Sequence, residues 1–324
     1  MNKRFVVSLL ATLVLASVYP AEAGQPKVYR VGVLLPGSPW YEAIDGLRQG
    51  LRELGLEEGK HLVLEIRDTK GDVKAAEAAA RNLEGDRATL IYAVADSVVA
   101  AARRATTGIP IVFNVGSDPV DAGFVESFAK PGGRLTGVHL LVRDLTGKRL
   151  EILKEILPKV REVLTFYNPG NQVAKQSAQL GREEAKRLGL KFVERHVISV
   201  DEVRKALQNL KIGEADVFFY IPDAMVGSQS QLIIDTARGK RLPTMFQEQS
   251  LVTKGALASY GHNYYEIGRL SAKYVQRVLS GVQPRDLKVE TVDDVELVIN
   301  LQTAKALGLT IPPNVLARAR KVIR

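Results

Sequence analysis

From residue 28 onward the chain alternates between two rhythms of apolar residues. Val28–Leu35 is an almost unbroken apolar run, the pattern of a strand covered on both faces. Pro36-Gly37-Ser38-Pro39 breaks it. Trp40, Ile44, Leu47, Leu51 and Leu54 then recur at three- and four-residue steps, one stripe of a helix that Gly55 ends. The same reading predicts strands at His61–Ile66, Thr89–Val94 and Ile109–Phe113. Between them fall a helix with Val73, Ala76, Ala80 and Leu83 on one face, and another over Val98–Ala105 capped by Asp96 or Ser97. Regular alternation of strand and helix predicts a parallel sheet with helices on both faces.

About 130 residues later the same order returns, as it does in a chain built from two copies of one plan. Val160–Tyr167 reads as a strand with Asn168-Pro169-Gly170 as its turn, and a helix through Ala178 and Ala185 ends at Leu188-Gly189-Leu190. Lys191–Val197 follows as a strand, then a helix carrying Val203, Ala206, Leu207 and Leu210. Asp216–Ile221 answers Thr89–Val94, and Leu242-Pro243-Thr244-Met245-Phe246 answers Ile109–Phe113. Two similar α/β lobes are expected, and Ile267, Leu270, Tyr274 and Val278 on one face predict a further helix over Tyr264–Leu279.

The beginning of the chain is written differently. Lys3 and Arg4 precede the apolar run Phe5–Val18, and Ala21-Glu22-Ala23 fits a small-x-small cleavage site, so a targeting segment cut before Gly24 is expected. That run is shorter than the roughly 20 apolar residues a membrane span needs. The chain has no cysteine, which excludes disulfides, thiol nucleophiles, Cys-ligated metals and a lipid anchor on cysteine. Its four histidines stand singly, so a multi-histidine metal site is not expected, nor any cofactor. The formal net charge of +9 falls to +8 once Lys3, Arg4 and Glu22 are removed. Basic and acidic residues are interspersed, as on solvated helix faces, and form no basic block for nucleic acid.

Function is sought at the carboxyl ends of the strands, where helix N-termini converge and ligands bind in open parallel sheets. After the first strand, Ser38 offers a hydroxyl and Trp40 a stacking surface. Asp96 and Ser97 follow the third strand, and Asp118 lies in the Gly116-Ser117-Asp118-Pro119 turn after the fourth. In the second lobe, Asn168, Asp223 and Gln247 occupy corresponding places, and Tyr264 follows Tyr260-Gly261-His262-Asn263. Each also has a plainer reading. Asp96 and Asp223 could be helix caps, Asp118 and Asn168 turn formers, and Trp40 and Tyr264 packing residues. The nucleophile-elbow, zinc-protease, phosphate-loop and dinucleotide motifs are all absent.

Several segments resemble one family. They are Ile109–Phe113 with Gly116–Gly123 and Lys130-Pro131-Gly132-Gly133-Arg134-Leu135-Thr136-Gly137, then Lys148–Pro158, Tyr167-Asn168-Pro169, and the tail Leu297–Leu301 with Thr303–Pro312. They look like the substrate-binding proteins of ABC importers in the group related to tryptophan/tyrosine uptake proteins, whose fold is the type I periplasmic binding protein fold. The resemblance implies two Rossmann-like α/β lobes with parallel sheets, joined by a three-segment hinge. Crossovers are expected near Gly137–Leu141, Tyr260–Asn263 and Leu287–Val292. One lobe would then comprise residues 24–138 and 262–288, the other 139–261 and 289–324.

The resemblance further implies a monomer, periplasmic given the leader, that captures a small molecule, an amino acid and an aromatic one among the candidates, and delivers it to an ABC permease in the inner membrane, without catalysis. Ser97, Asp118, Asn168 and Asp223 would be cleft residues. For a zwitterionic ligand, Asp118 would pair with the ammonium group, and Ser97 with the helix that follows would hold the carboxylate. The stretch Pro36–Trp40 matches no fixed motif of the group, so the ligand stays open. A ligand-sensing protein working with a membrane signalling partner would use the same cleft. A cleft hydrolase using Asp118 and Asp223 is the enzymatic alternative.

Overall fold

The computed structural model describes residues 28–324, and the leader expected at residues 1–23 lies outside them. The first lobe runs β1 (Tyr29–Leu35), α1 (Tyr41–Glu53), β2 (Leu62–Asp68), α2 (Val73–Gly85), β3 (Leu90–Val94), α3 (Asp96–Ala105), β4 (Ile111–Val115) and β5 (Leu135–Leu140). The second continues α4 (Leu145–Ile156), β6 (Glu162–Tyr167), α5 (Gln172–Arg187), β7 (Lys191–His196), α6 (Val200–Gln208), β8 (Val217–Phe219), α7 (Ala224–Gly227), α8 (Ser230–Gly239), β9 (Thr244–Phe246), α9 (Ser250–Thr253) and β10 (Ala258–Gly261). There follow α10 (Tyr264–Leu279), β11 (Glu290–Val292), β12 (Glu296–Asn300), α11 (Leu301–Leu307), α12 (Pro313–Arg318) and β13 (Lys321–Ile323).

Two sheets result, ordered β11-β5-β4-β3-β1-β2 and β13-β12-β10-β9-β8-β6-β7. Five strands of each, β2-β1-β3-β4-β5 and β7-β6-β8-β9-β10, share one order, which is the repeat seen in the sequence made physical. The continuous apolar runs arise because every central strand is covered twice. On β1, Val31, Val33 and Leu35 face Ile44 and Leu47 of α1 and Ile267 of α10. Leu34 turns the other way, into the layer of Leu83, Val98 and Val99. All of these residues are buried. In the second lobe Val163 and Phe219 pack with Leu153 and Ala178, while Phe166, Phe218 and Phe246 pack with Val203 and Ile233.

The chain passes between the sheets at residues 141–144, 262–263 and 293–295, the first and third crossings later than the sequence suggested. Gly137, where the first crossing was expected to begin, is inside β5: a Cβ there would stand 2.1 Å from the Phe113 carbonyl oxygen, so its absence lets β4 and β5 pair. Glu290-Thr291-Val292 has too little apolar pattern to read as a strand, and pairing with Val138–Leu140 makes it one. It therefore belongs to the first sheet.

A second departure is directional. β12 runs antiparallel to β10, so the second sheet is only mostly parallel. The cause is the three-residue crossing before it. β11 ends facing the other lobe, and so short a link leaves the chain no room to reverse before it enters the second sheet, so β12 must run away from the gap. α10 lies on α1 at close range, because a Cβ on Gly46 would meet the Tyr265 carbonyl oxygen and one on Gly268 that of Ala43. No helix among the described residues is long and apolar enough to cross a membrane.

Candidate functional site

The carboxyl ends of the two sheets face one another. The loops after β1, β3 and β4 meet those after β6, β8 and β9, at the reversal of strand order where α/β sheets open a crevice. Two connected hollows lie there. An outer cleft of about 1080 Å³ is lined by charged and polar residues of both lobes. An inner chamber of about 40 Å³ has Trp40, Leu140, Val142, Tyr220, Pro222 and Tyr264 among its walls. Asp96, Ser97, Asn171, Val173 and Asp223 line both and form the neck between them. The chamber itself has room for little more than water. Contacts cross the gap around it: Lys254 Nζ donates to Ser38 Oγ at 3.0 Å, and Ser228 Oγ to the Lys70 carbonyl at 3.3 Å. The lobes are closed on each other.

On the first lobe, Asp96 does not cap its own helix. Ala95 is the residue before α3, at φ +81°, and no side chain caps the helix. The Asp96 carboxylate instead accepts from the Gly116 N–H at 2.9 Å, the Ser117 N–H at 3.0 Å and the Ser117 hydroxyl. It ties the loop after β4 to the start of α3. The Ser97 hydroxyl, beside it in the neck, has no hydrogen-bond partner among the described residues. An uncapped helix start with a hydroxyl at its lip is suited to an anion such as a carboxylate.

On the second lobe, Asp223 is 2% exposed and does cap its helix, accepting from the N–H groups of Met225 and Val226 at 3.0 and 3.1 Å. Its other oxygen accepts from the Asn168 N–H and Asn171 Nδ2 at 3.1 and 3.3 Å. Burial pushes this carboxyl above its ordinary value, against the pull of those donors. Tyr220 donates to the Asp223 carbonyl at 2.8 Å and accepts from its N–H at 3.1 Å. Burial raises the hydroxyls of Tyr220 and Tyr264, so both remain neutral donors.

Behind the chamber lies a buried charged group that the sequence reading did not single out. Arg149 of α4 is fully buried, donates to the Tyr220 carbonyl at 2.9 Å and lies over the Phe219 ring at 5.0 Å. Its other amine reaches Gln247 Oε1 at 3.4 Å, and Gln247 Nε2 donates to Glu248 at 2.8 Å. Burial lowers the arginine to about 10 and raises the Glu248 carboxyl to about 7. Gln247 thus reaches the chamber wall with both polar ends already engaged. The signal for Arg149 was a charged residue on a helix stripe with Leu150, Ile152, Leu153 and Ile156, all buried.

Of the expected site residues, the structure places Trp40, Asp96, Ser97, Asp223, Gln247 and Tyr264 on the inner chamber. Asp118 and Asn168 line the outer cleft. Asp118 Oδ1 accepts from the Val120 and Asp121 N–H groups at 2.8 and 3.2 Å, a turn former whose second oxygen is left over. Asn168 accepts from the Gly170 N–H at 2.8 Å. Ser38 lies on neither hollow and takes part in the contact with Lys254 instead. Asn114, Asn171 and Val142 join the chamber unforeseen. For Asn171 the signal was an Asn directly before a helical pattern, where it caps α5 through the Val173 N–H.

A family model described as ABC transporter substrate binding protein matches residues 30–323. A tyrosine-binding protein of Clostridioides difficile strain R20291 is 29% identical over 268 residues, 83% of this chain and 77% of that protein. Among solved structures, a conserved domain protein from Vibrio cholerae has 34% identity and a TM-score of 0.81, covering 91% of this chain and all of that one. An ABC domain in complex with L-Trp from Streptococcus pneumonia has 23% identity and a TM-score of 0.79, covering 92% of this chain and all of that one.

Proposed function

The chain belongs to the family of ABC transporter substrate-binding proteins, and from that premise we propose that it captures an aromatic α-amino acid between its lobes for delivery to a membrane permease. The observation that carries the ligand class is the division of labour around the neck. Most polar groups there are spent on one another: Asp96 on Gly116 and Ser117, Asp223 on four donors, Gln247 on Arg149 and Glu248. What remains is Ser97 with the uncapped start of α3, the second oxygen of Asp118 in the adjoining outer cleft, and the rings of Trp40 and Tyr264 on the chamber wall. That set matches a carboxylate, an ammonium group and an aromatic side chain. A sugar would need a ring of available hydrogen-bonding side chains, and this neck supplies few.

The relatives support the same reading, one being named for tyrosine and another solved with L-Trp. Binding holds the solute from both lobes and performs no reaction on it. The three crossings serve as the hinge that admits it, since the chamber at about 40 Å³ is too small for an amino acid until the lobes part. Export follows from the leader pattern, with residues 1–23 removed before Gly24 and the mature monomer working in the periplasm. Mass spectrometry of the small molecules released from the purified protein by denaturation tests the reading. Tryptophan, tyrosine or phenylalanine at near one equivalent supports it, and a sugar or nucleoside at that level overturns it.

A further inference from the structure

We infer that Gly71, on the rim of the outer cleft, sets how far the two lobes close, and governs ligand affinity through that closure. The ligand part of this inference rests on the function proposed above. Lys70 and Gly71, both at positive φ (+50° and +78°), turn the loop after β2 so that its backbone faces α7 of the other lobe. There Ser228 Oγ lies 3.3 Å from the Lys70 carbonyl and 2.6 Å from the Met225 carbonyl, its single proton shared between the two. A Cβ on Gly71 would stand 2.7 Å from Ser228 Oγ and 2.9 Å from Met225 Cα. The second of these is backbone and cannot be turned aside by a rotamer change. Any side chain at position 71 must therefore hold the lobes apart.

The other crossing contacts lack this property. The Ser38–Lys254 contact ends on a flexible lysine that can give way. Gly227 lies against Trp40 of the opposite lobe, but a Cβ there would also strike the Tyr220 hydroxyl of its own lobe, 2.6 Å away. Among the glycines of the described residues that face the other lobe, Gly71 alone would meet that lobe's backbone with no nearer atom of its own lobe in the way.

The chain carries its own control. Gly59 has nearly the same φ, +84°, with nothing within 4 Å of its Cβ position, so Gly59→Ala imposes the backbone strain without the obstruction. Ser228→Leu places an obstruction on the opposite lobe at ordinary helical dihedrals, φ −61° and ψ −20°, on a residue that lines neither hollow. Affinity scales with the fraction of molecules able to close, so a tenfold smaller closed fraction weakens binding about tenfold.

Titration calorimetry with L-tryptophan and L-tyrosine should show Gly59→Ala binding like the unmodified chain, and Gly71→Ala and Ser228→Leu binding about tenfold or more weaker. Small-angle scattering at a ligand concentration that just saturates the unmodified chain should show a ligand-induced decrease in radius of gyration for the unmodified chain and Gly59→Ala, and a clearly smaller one for Gly71→Ala and Ser228→Leu. Gly71→Ala and Ser228→Leu matching Gly59→Ala in both measurements overturns the inference. If the unmodified chain binds neither probe, the proposed ligand class fails, and closure is read without ligand. The chain has no native cysteine, so Ser38→Cys with Lys254→Cys can be cross-linked by a short bis-maleimide. Slower cross-linking in the Gly71→Ala background than in Gly59→Ala supports the inference, and equal rates overturn it.

Discussion

Replacing Arg149 by methionine keeps most of the side-chain volume and removes a buried charge that organises the wall of the chamber. The Tyr220 carbonyl loses a charged donor at 2.9 Å, Gln247 loses a partner at 3.4 Å, and the Phe219 ring loses the guanidinium above it. Glu248, 1% exposed, then has no cation near it. Breaking one side of a buried charged arrangement costs about 3–5 kcal/mol, chiefly because the other charge is stranded. The structure favours the lower part of that range, because Arg149 and Glu248 communicate through Gln247 rather than by direct contact and the carboxyl can take up a proton.

Arg149→Met should therefore lower the unfolding free energy by about 3 kcal/mol in denaturant titrations at neutral pH. Adding Glu248→Gln should recover part of the loss, since the stranded charge is gone. A loss below about 1 kcal/mol, or the same loss with and without Glu248→Gln, would refute the reasoning.

Glu248 also gives a pH signature. Its folded value of about 7 lies above that of an ordinary carboxyl, so between the two the native chain holds a proton that the unfolded chain has released. Stability from this group is full below the unfolded value and is lost as pH rises towards 7. Relative to Glu248→Gln, the unmodified chain should lose up to roughly 3 kcal/mol between pH 4 and 8, and a flat difference across that range would contradict it. Asp118→Ala should leave the fold intact, since two turn hydrogen bonds at an exposed site are small. It should weaken amino-acid binding well over tenfold, on the scale of roughly 2–5 kcal/mol for a lost ion pair, and unchanged affinity by calorimetry would reject the role given to it. Asp96→Ala strands the Gly116 and Ser117 donors. It should cost about 1–3 kcal/mol of stability and raise hydrogen exchange at those two amides, and unaltered exchange would count against the tie.

The strands were legible because both faces of each sheet are covered, so that a run such as Val31–Leu35 needs no alternation to be read. What the sequence concealed depends on partners remote in the chain. Asp96 looked like a cap, yet its partners lie 20 and 21 residues away in the loop after β4. Asp223 is the cap it looked like, and it also ties down Asn168, 55 residues earlier. Nothing local to Glu290-Thr291-Val292 announces a strand, because β5 supplies the pairing. Gly137 marks a close approach to Phe113 rather than an end. At Asp118 the turn former and the cleft residue are the same group, since one oxygen serves the turn and the other is left over. Arg149 was visible as a charge on an apolar stripe, but its meaning required Tyr220 and Gln247, 71 and 98 residues distant.

Capture of an aromatic amino acid between the lobes is tested most directly by thermal and chemical unfolding of the purified chain with and without L-tryptophan, L-tyrosine and L-phenylalanine. At 100 times its dissociation constant a true ligand adds about 2.7 kcal/mol to the unfolding free energy, and at least one of the three should do so while D-glucose and L-leucine do not. No stabilisation by any aromatic amino acid, or chemical conversion of one during the incubation, would contradict the account.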